Sequence, residues 1–96
     1  MLHTISASPR DATLEDCLRC ARPDDLIFLL GDGTYSAIAG SAAQQLLERH
    51  GAQVYVLLDD AVARGLEKNL WPGASCIDIE GFVSLTEQAT TQQAWF

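Results

Sequence analysis

The sequence predicts a small three-layer α/β sandwich around a four- or five-stranded, mainly parallel sheet, and three observations predict it. Short strand-like apolar runs alternate with amphipathic segments, with no linker, low-complexity tract or repeat between them. Leu26 to Leu30 is an uninterrupted apolar run, which suits a parallel strand covered on both faces. Ninety-six residues supply one hydrophobic core, so residues 1–96 are expected to form a single domain with at most one site. Right-handed crossovers between the parallel strands then complete the sandwich.

Taken in order, Met1 to Ser6 reads as the first strand, closed by Ser8-Pro9 because proline cannot continue a ladder and restricts the residue before it. Thr13 with Asp16 three residues later forms a capping-box pattern. Leu14, Cys17, Leu18 and Ala21 follow on one helical face, and that helix stops near Pro23. After the second strand, Gly31-Asp32-Gly33 turns the chain. A helix is expected from about Tyr35 to His50, with Ala39, Ala43, Leu46 and Leu47 inward and Gly51 as its C′ residue. Ala37, Gly40 and Ser41 inside it are small enough to let another backbone approach. Val54 to Leu58 reads as the third strand, and Asp59-Asp60 opens a short helical piece ending at Arg64-Gly65. Ser75 to Ile79 follows as the fourth strand. Gly81 to about Gln88 forms a helix with Phe82, Val83, Leu85 and Ala89 inward, and Gln93 to Phe96 offers a fifth strand.

Thirteen acidic against 6 basic side chains, a formal charge of −7, disfavour direct nucleic-acid binding, because phosphate affinity comes from cations that displace counterions. RNA could enter only through a partner. No apolar run approaches the roughly 20 residues of a membrane span and no basic segment precedes the first strand, so a cytoplasmic chain without signal peptide or membrane contact is expected. Three cysteines in a reducing compartment are then free thiols, or one of them is chemical.

Gly31-Asp32-Gly33-Thr34-Tyr35-Ser36, with Asp59 at the end of the next strand, imitates a dinucleotide fingerprint. Ser36 replaces the third glycine and Asp32 would face the pyrophosphate, so a glycine turn with Asp32 ordering the next helix is the better reading. Cys17-Leu18-Arg19-Cys20 has redox-motif spacing, yet Cys17 lies about a turn inside its helix behind Glu15 and Asp16, whose charge opposes thiolate formation. The helical wheel puts Cys17 in the buried arc and Cys20 at its edge, and no second ligand pair exists for zinc. Cys76, inside an apolar strand, is expected in the core. His3 in the first strand and His50 in the last turn of a helix form no hydrolase triad readable from sequence. Trp71 and Trp95 are core lids or partner contacts, Trp95 more readily the latter. Neither a cofactor nor a metal is expected.

Leu2-His3-Thr4 with Ser8-Pro9, Gly31-Asp32-Gly33-Thr34-Tyr35-Ser36-Ala37 with Gly40, and Tyr55-Val56-Leu57 with Asp60 and Ala63-Arg64-Gly65-Leu66 form one ordered series. Asp78 with Phe82-Val83-Ser84-Leu85-Thr86 and then Gln93-Ala94-Trp95 complete it. From end to end this series resembles the DsrH/TusB family of sulfur-relay subunits. The resemblance implies a DsrE-like α/β fold and a cytoplasmic heterohexamer with TusC/DsrF-like and TusD/DsrE-like subunits. It further implies passage of persulfide sulfur from a TusA-like donor through a TusE-like acceptor toward 2-thiouridine at the tRNA wobble position, or, in the Dsr branch, a role in intracellular sulfur oxidation. By the same resemblance, the sulfur-carrying cysteine belongs to the TusD/DsrE-type subunit, and nothing in this chain matches its loop. Cys17 matches a first-helix cysteine of the DsrH branch, whereas Cys20 departs from both branches. Two readings follow: an accessory subunit without chemistry of its own, and a DsrH-type persulfide carrier using Cys17. An accessible Cys17 sulfur favours the carrier, and a buried one favours packing.

Overall fold

Strands this short cannot hold a sheet by backbone pairing alone, so their apolar faces must be sealed by the segments that connect them. The computed structural model, which describes residues 1–96, contains β1 (Leu2–Ile5), α1 (Thr13–Cys20), β2 (Leu26–Leu29), a 3₁₀ helix (Gly31–Ala37) and α2 (Ala42–His50). These are followed by β3 (Gln53–Leu57), α3 (Leu58–Ala63), β4 (Ala74–Ile77), α4 (Ile79–Gln88) and β5 (Gln92–Trp95). All five strands are parallel, in the order β4-β3-β2-β1-β5. The α/β class expected from the sequence is the class observed.

Register and alternation divide the side chains between two faces. Ile5, Leu29, Val56 and Trp95 stand in one row across the sheet, and Ile27 and Val54 lie on the same side. Leu14 and Cys17 of α1, Ala37 of the 3₁₀ helix, Ala43 and Leu47 of α2 and Ala61 of α3 pack onto that face as one buried cluster. The opposite face carries Leu2 and Phe28, covered by Leu85 of α4, with Phe82 stacked on Phe28 at a centroid distance of 4.4 Å.

The single helix expected from Tyr35 to His50 is two elements. Gly40 takes a left-handed φ of +84°, and Ser41 Oγ accepts the Gln44 amide at 3.1 Å, so a chain break and an N-cap stand where helix interior was expected. Ala39 is exposed as a result, and open space surrounds Gly40 where a close backbone approach had been anticipated. Gly51 does take the C′ role, at φ +90° with its amide donating to the Leu47 carbonyl. The capping box at Thr13 is absent: Ala12 is the N-cap residue, and Thr13 Oγ1 donates instead to the Phe96 carbonyl at 3.1 Å. Two core assignments also change. Val83 lies on an exposed flank of α4, and Cys76 is exposed because β4 is an edge strand with only one neighbour. The fourth strand ends at Ile77, since the Asp78 carboxylate accepts the Gly81 amide at 2.8 Å and starts α4.

Gly33 is fixed by contact. A Cβ there would lie inside the van der Waals shell of the Ile5 carbonyl oxygen at the carboxyl end of β1, which the 3₁₀ helix crosses at close range. Gly33→Ala must push backbone against backbone and should destabilise the fold by about 2–3 kcal/mol. Urea unfolding checks this, and a midpoint within error of wild type would refute the contact.

Candidate functional site

His3 is a polar residue placed by strand alternation on the face that carries the main core, and it is 2% exposed. A buried imidazole needs partners for both nitrogens, and it has them. Trp95 Nε1 donates to His3 Nδ1 at 3.1 Å, while His3 Nε2 lies 2.9 Å from Asp25 Oδ2. An indole N–H can only donate, so Nδ1 is the acceptor and the ring proton sits on Nε2, directed at Asp25. The same carboxylate accepts the Arg22 amide at 3.0 Å and the Met1 amine at 3.0 Å. The Arg22 backbone bond above all, then His3 and the amine, hold the Asp25 carboxyl well below the usual carboxylate range against the opposing pull of burial. No serine or thiol completes this chain of bonds into a hydrolytic arrangement, and the series ends at Trp95.

Sequence reasoning placed His3 in a strand but did not link it to Asp25 or Trp95. The available signal was a histidine at a core-facing strand position combined with an acid one residue before the neighbouring strand. Trp95 is half-buried with its N–H committed inside the chain, so its polar end is not free for a partner. His50 is bonded at both nitrogens as well: Nδ1 accepts the Ala52 amide and Nε2 meets the Ala21 carbonyl at 2.9 Å, tying α2 to the end of α1.

The three cysteines are free and differently placed. Cys17 is fully buried in the main cluster, and desolvation, followed by the neighbouring Cys20 and Asp25, pushes its thiol up to about 12. A thiol held that high keeps its proton at neutral pH. Cys20 is exposed at the end of α1, beside a depression of about 460 Å³ shared with Met1, Arg22, Asp24 and Asp25. Cys76 is exposed on the β4 edge, where partial burial still raises its thiol.

At the carboxyl ends of the strands, a groove of about 680 Å³ runs between Arg10 and Asp11 on one side and Asp32, Tyr35 and Ser41 on the other. The glycine turn beside it has its first amide and its acid engaged within the chain. Gly31 N donates to Asp60 Oδ2 at 2.6 Å, Asp32 pairs with Arg64 at 3.2 Å, and Gly33 is occupied with packing under Ile5. Asp60, and not Asp32, therefore accepts the loop amide, and the site where a pyrophosphate would sit already holds a carboxylate. No group of three His, Cys, Asp or Glu side chains converges as a metal site.

The DsrH-like protein family matches residues 7–92 of this chain. Over 95 residues the chain is 40% identical to protein TusB of Yersinia pestis, covering 99% of this chain and 100% of the relative. Protein TusB of Yersinia pseudotuberculosis matches with the same identity and coverage. Among solved structures, the ychN protein of E. coli superposes with a TM-score of 0.82 over 97% of each chain at 18% identity. Protein Tm0979 of Thermotoga maritima gives 0.68 over 91% of this chain and 92% of its own, at 24% identity. Those two likenesses carry the fold alone.

Two measurements test this geometry. In the folded protein at pH 8, Cys20 should react rapidly with a disulfide probe, Cys76 more slowly because its thiol is raised, and Cys17 only on unfolding; labelling of Cys17 in the folded protein would contradict the burial. Because the Asp25 carboxyl is depressed in the folded state, its stabilisation is present above the unfolded carboxylate pKa of about 3.9 and is lost as pH falls through and below it. Asp25→Asn should therefore lower stability at pH 7 by about 1–3 kcal/mol and flatten the decline between neutral pH and pH 3. Equal slopes in urea titrations of both proteins would rule this out.

Proposed function

The chain belongs to the DsrH family, and on that premise we propose that it is an assembly subunit of a cytoplasmic sulfur-relay complex of the TusBCD/DsrEFH type, without sulfur chemistry of its own. The observation that carries the reading is the sealing of Cys17, the one thiol matched to a family cysteine, inside the main core with its proton held on. Persulfide transfer needs a thiolate that attacks the outer sulfur of the donor's persulfide, breaks its S–S bond and releases the donor as a thiolate. A buried, protonated thiol cannot begin this attack. The 40% identity to TusB over the whole chain supports the tRNA branch, in which the complex contributes to 2-thiouridine at the wobble position. The partners in this reading are TusC/DsrF-like and TusD/DsrE-like subunits in a heterohexamer, with a TusA-like donor and a TusE-like acceptor meeting the complex elsewhere. The acidic balance of the chain, −7 overall, supports a subunit that does not itself hold tRNA.

The second reading makes Cys17 a DsrH-type persulfide carrier in sulfur oxidation. It requires α1 to turn its inner face outward within the complex, since Cys17 lies on the same arc as Leu14.

Co-expression with the two related subunits, followed by sizing, should give one hetero-oligomer, and a chain that stays monomeric beside them would sink the assembly reading. Incubation of that complex with a persulfidated donor separates the two readings. A mass increase of about 32 Da on the Cys17 peptide would establish the carrier. Relay activity retained by a folded Cys17→Ser complex, which is the expected result, eliminates it.

A further inference from the structure

The second face of the sheet is unevenly covered, and we propose that its open part, over β1 and β5 beside α4, is the docking surface for a related subunit whose apolar contact face is rimmed by lysine and arginine. This rests on the assembly reading above.

α4 turns Phe82, Leu85 and Ala89 toward the sheet. It runs back across the face from the end of β4 toward the start of β5, and the right-handed sense of the helix puts Ile79, Val83 and Thr86 on the flank that looks toward β1 and β5. The Gln92 side chain at the start of β5 reaches the Thr86 carbonyl at 3.2 Å, in agreement with that orientation. Ile79 is 52% and Val83 47% exposed on this flank. Beside it on the sheet lie Thr4 and Ala94, direct partners in the β1–β5 register, with Ala94 exposed. The apolar flank of Ile79 and Val83 and the small side chains of Thr4 and Ala94 beside it thus form one surface that this chain does not cover.

Charge selects the occupant. Glu80 and Glu87 border Val83 on the solvent side of α4, and residues 69–96, which form β4, α4 and β5, contain no lysine or arginine at all. All six basic residues lie between Arg10 and Lys68. A second copy would bring the same carboxylates against one another around the apolar centre, whereas a surface rimmed by basic side chains would pair with them. The other exposed apolar pair, Leu58 and Val62 of α3, belongs to the opposite side of the sheet, where α1, the 3₁₀ helix and α2 already fill the face.

The test uses the complex formed with the two related subunits, with binding measured at low and high salt. Val83→Asp should weaken association at least about tenfold, as expected for a charge placed at the centre of an interface. Val62→Asp should stay within about twofold of wild type. The double variant Glu80→Lys/Glu87→Lys, on solvent-facing positions and with folding checked by urea unfolding because Glu80 lies in the first turn of α4, should also weaken association and reduce its salt dependence. A complex that forms with wild-type affinity despite Val83→Asp and the double reversal overturns this surface and leaves the assembly reading intact. Failure of the wild-type chain to join any complex overturns the assembly reading, and the surface falls with it. A wild-type homodimer broken by Val83→Asp would make the occupant a second copy and overturn the charge argument.

Discussion

The architecture depends on one constraint, the handedness of the connections between parallel strands. From β1 to β4 the chain always steps in the same direction across the sheet, and a right-handed crossover then puts every connecting segment on the same face. α1, the 3₁₀ helix, α2 and α3 are consequently crowded onto one side, and their combined apolar arcs make the large cluster that contains Cys17. Only the last connection steps backward, from β4 at one edge to β5 at the other, so α4 alone lies on the second face. The deep burial of the first-helix thiol and the thin covering of the opposite face have the same origin.

Much of this was readable from the residues, and the failures have physical causes. The apolar run Leu26–Leu30 and the alternation of strand and helix signals gave the class, and the wheel position of Cys17 gave its burial. The Tyr35–His50 segment misled because alanine-rich helical periodicity continues through Gly40-Ser41, and only the left-handed φ of Gly40 and the Ser41 cap reveal two elements. Cys76 and Val83 were assigned inward because periodicity reports which side chains share a face and not whether anything covers it. Strand order decides that, and strand order is nonlocal. The bonded series Trp95, His3, Asp25 escaped for the same reason, since its members are separated by 92 and 22 positions and meet only through the β1–β5 and β1–β2 pairings.

The candidate site was legible as a set of exclusions more than as a constellation. The glycine turn that imitates a dinucleotide motif gives its Gly31 amide to Asp60 and its Gly33 amide to the Leu30 carbonyl, and spends Gly33 on clearance from Ile5. The C-x-x-C pair is divided by burial, one thiol sealed and one open, as its spacing of three residues at the border of an apolar arc implies. In the proposed assembly reading such a chain contributes surfaces, and the bonded series Trp95, His3, Asp25 fixes β5 and β2 against β1 beneath them.

The hydrogen bond between Trp95 and His3 closes the longest loop in the molecule, 92 positions against the 22 between His3 and Asp25. Loop-closure entropy grows with the logarithm of that span, so docking β5 onto β1 carries roughly 1 kcal/mol more of chain entropy than pairing β1 with β2. The four-strand body with its crowded face can consolidate through short closures, after which only residues 78–91 span the gap to β5, so the segment that forms α4 and β5 joins last. Until it arrives, Leu2 and Phe28 stand uncovered on the second face. Contact order therefore concentrates the aggregation hazard of this fold in the interval before its final crossover, on the face that the finished chain covers least.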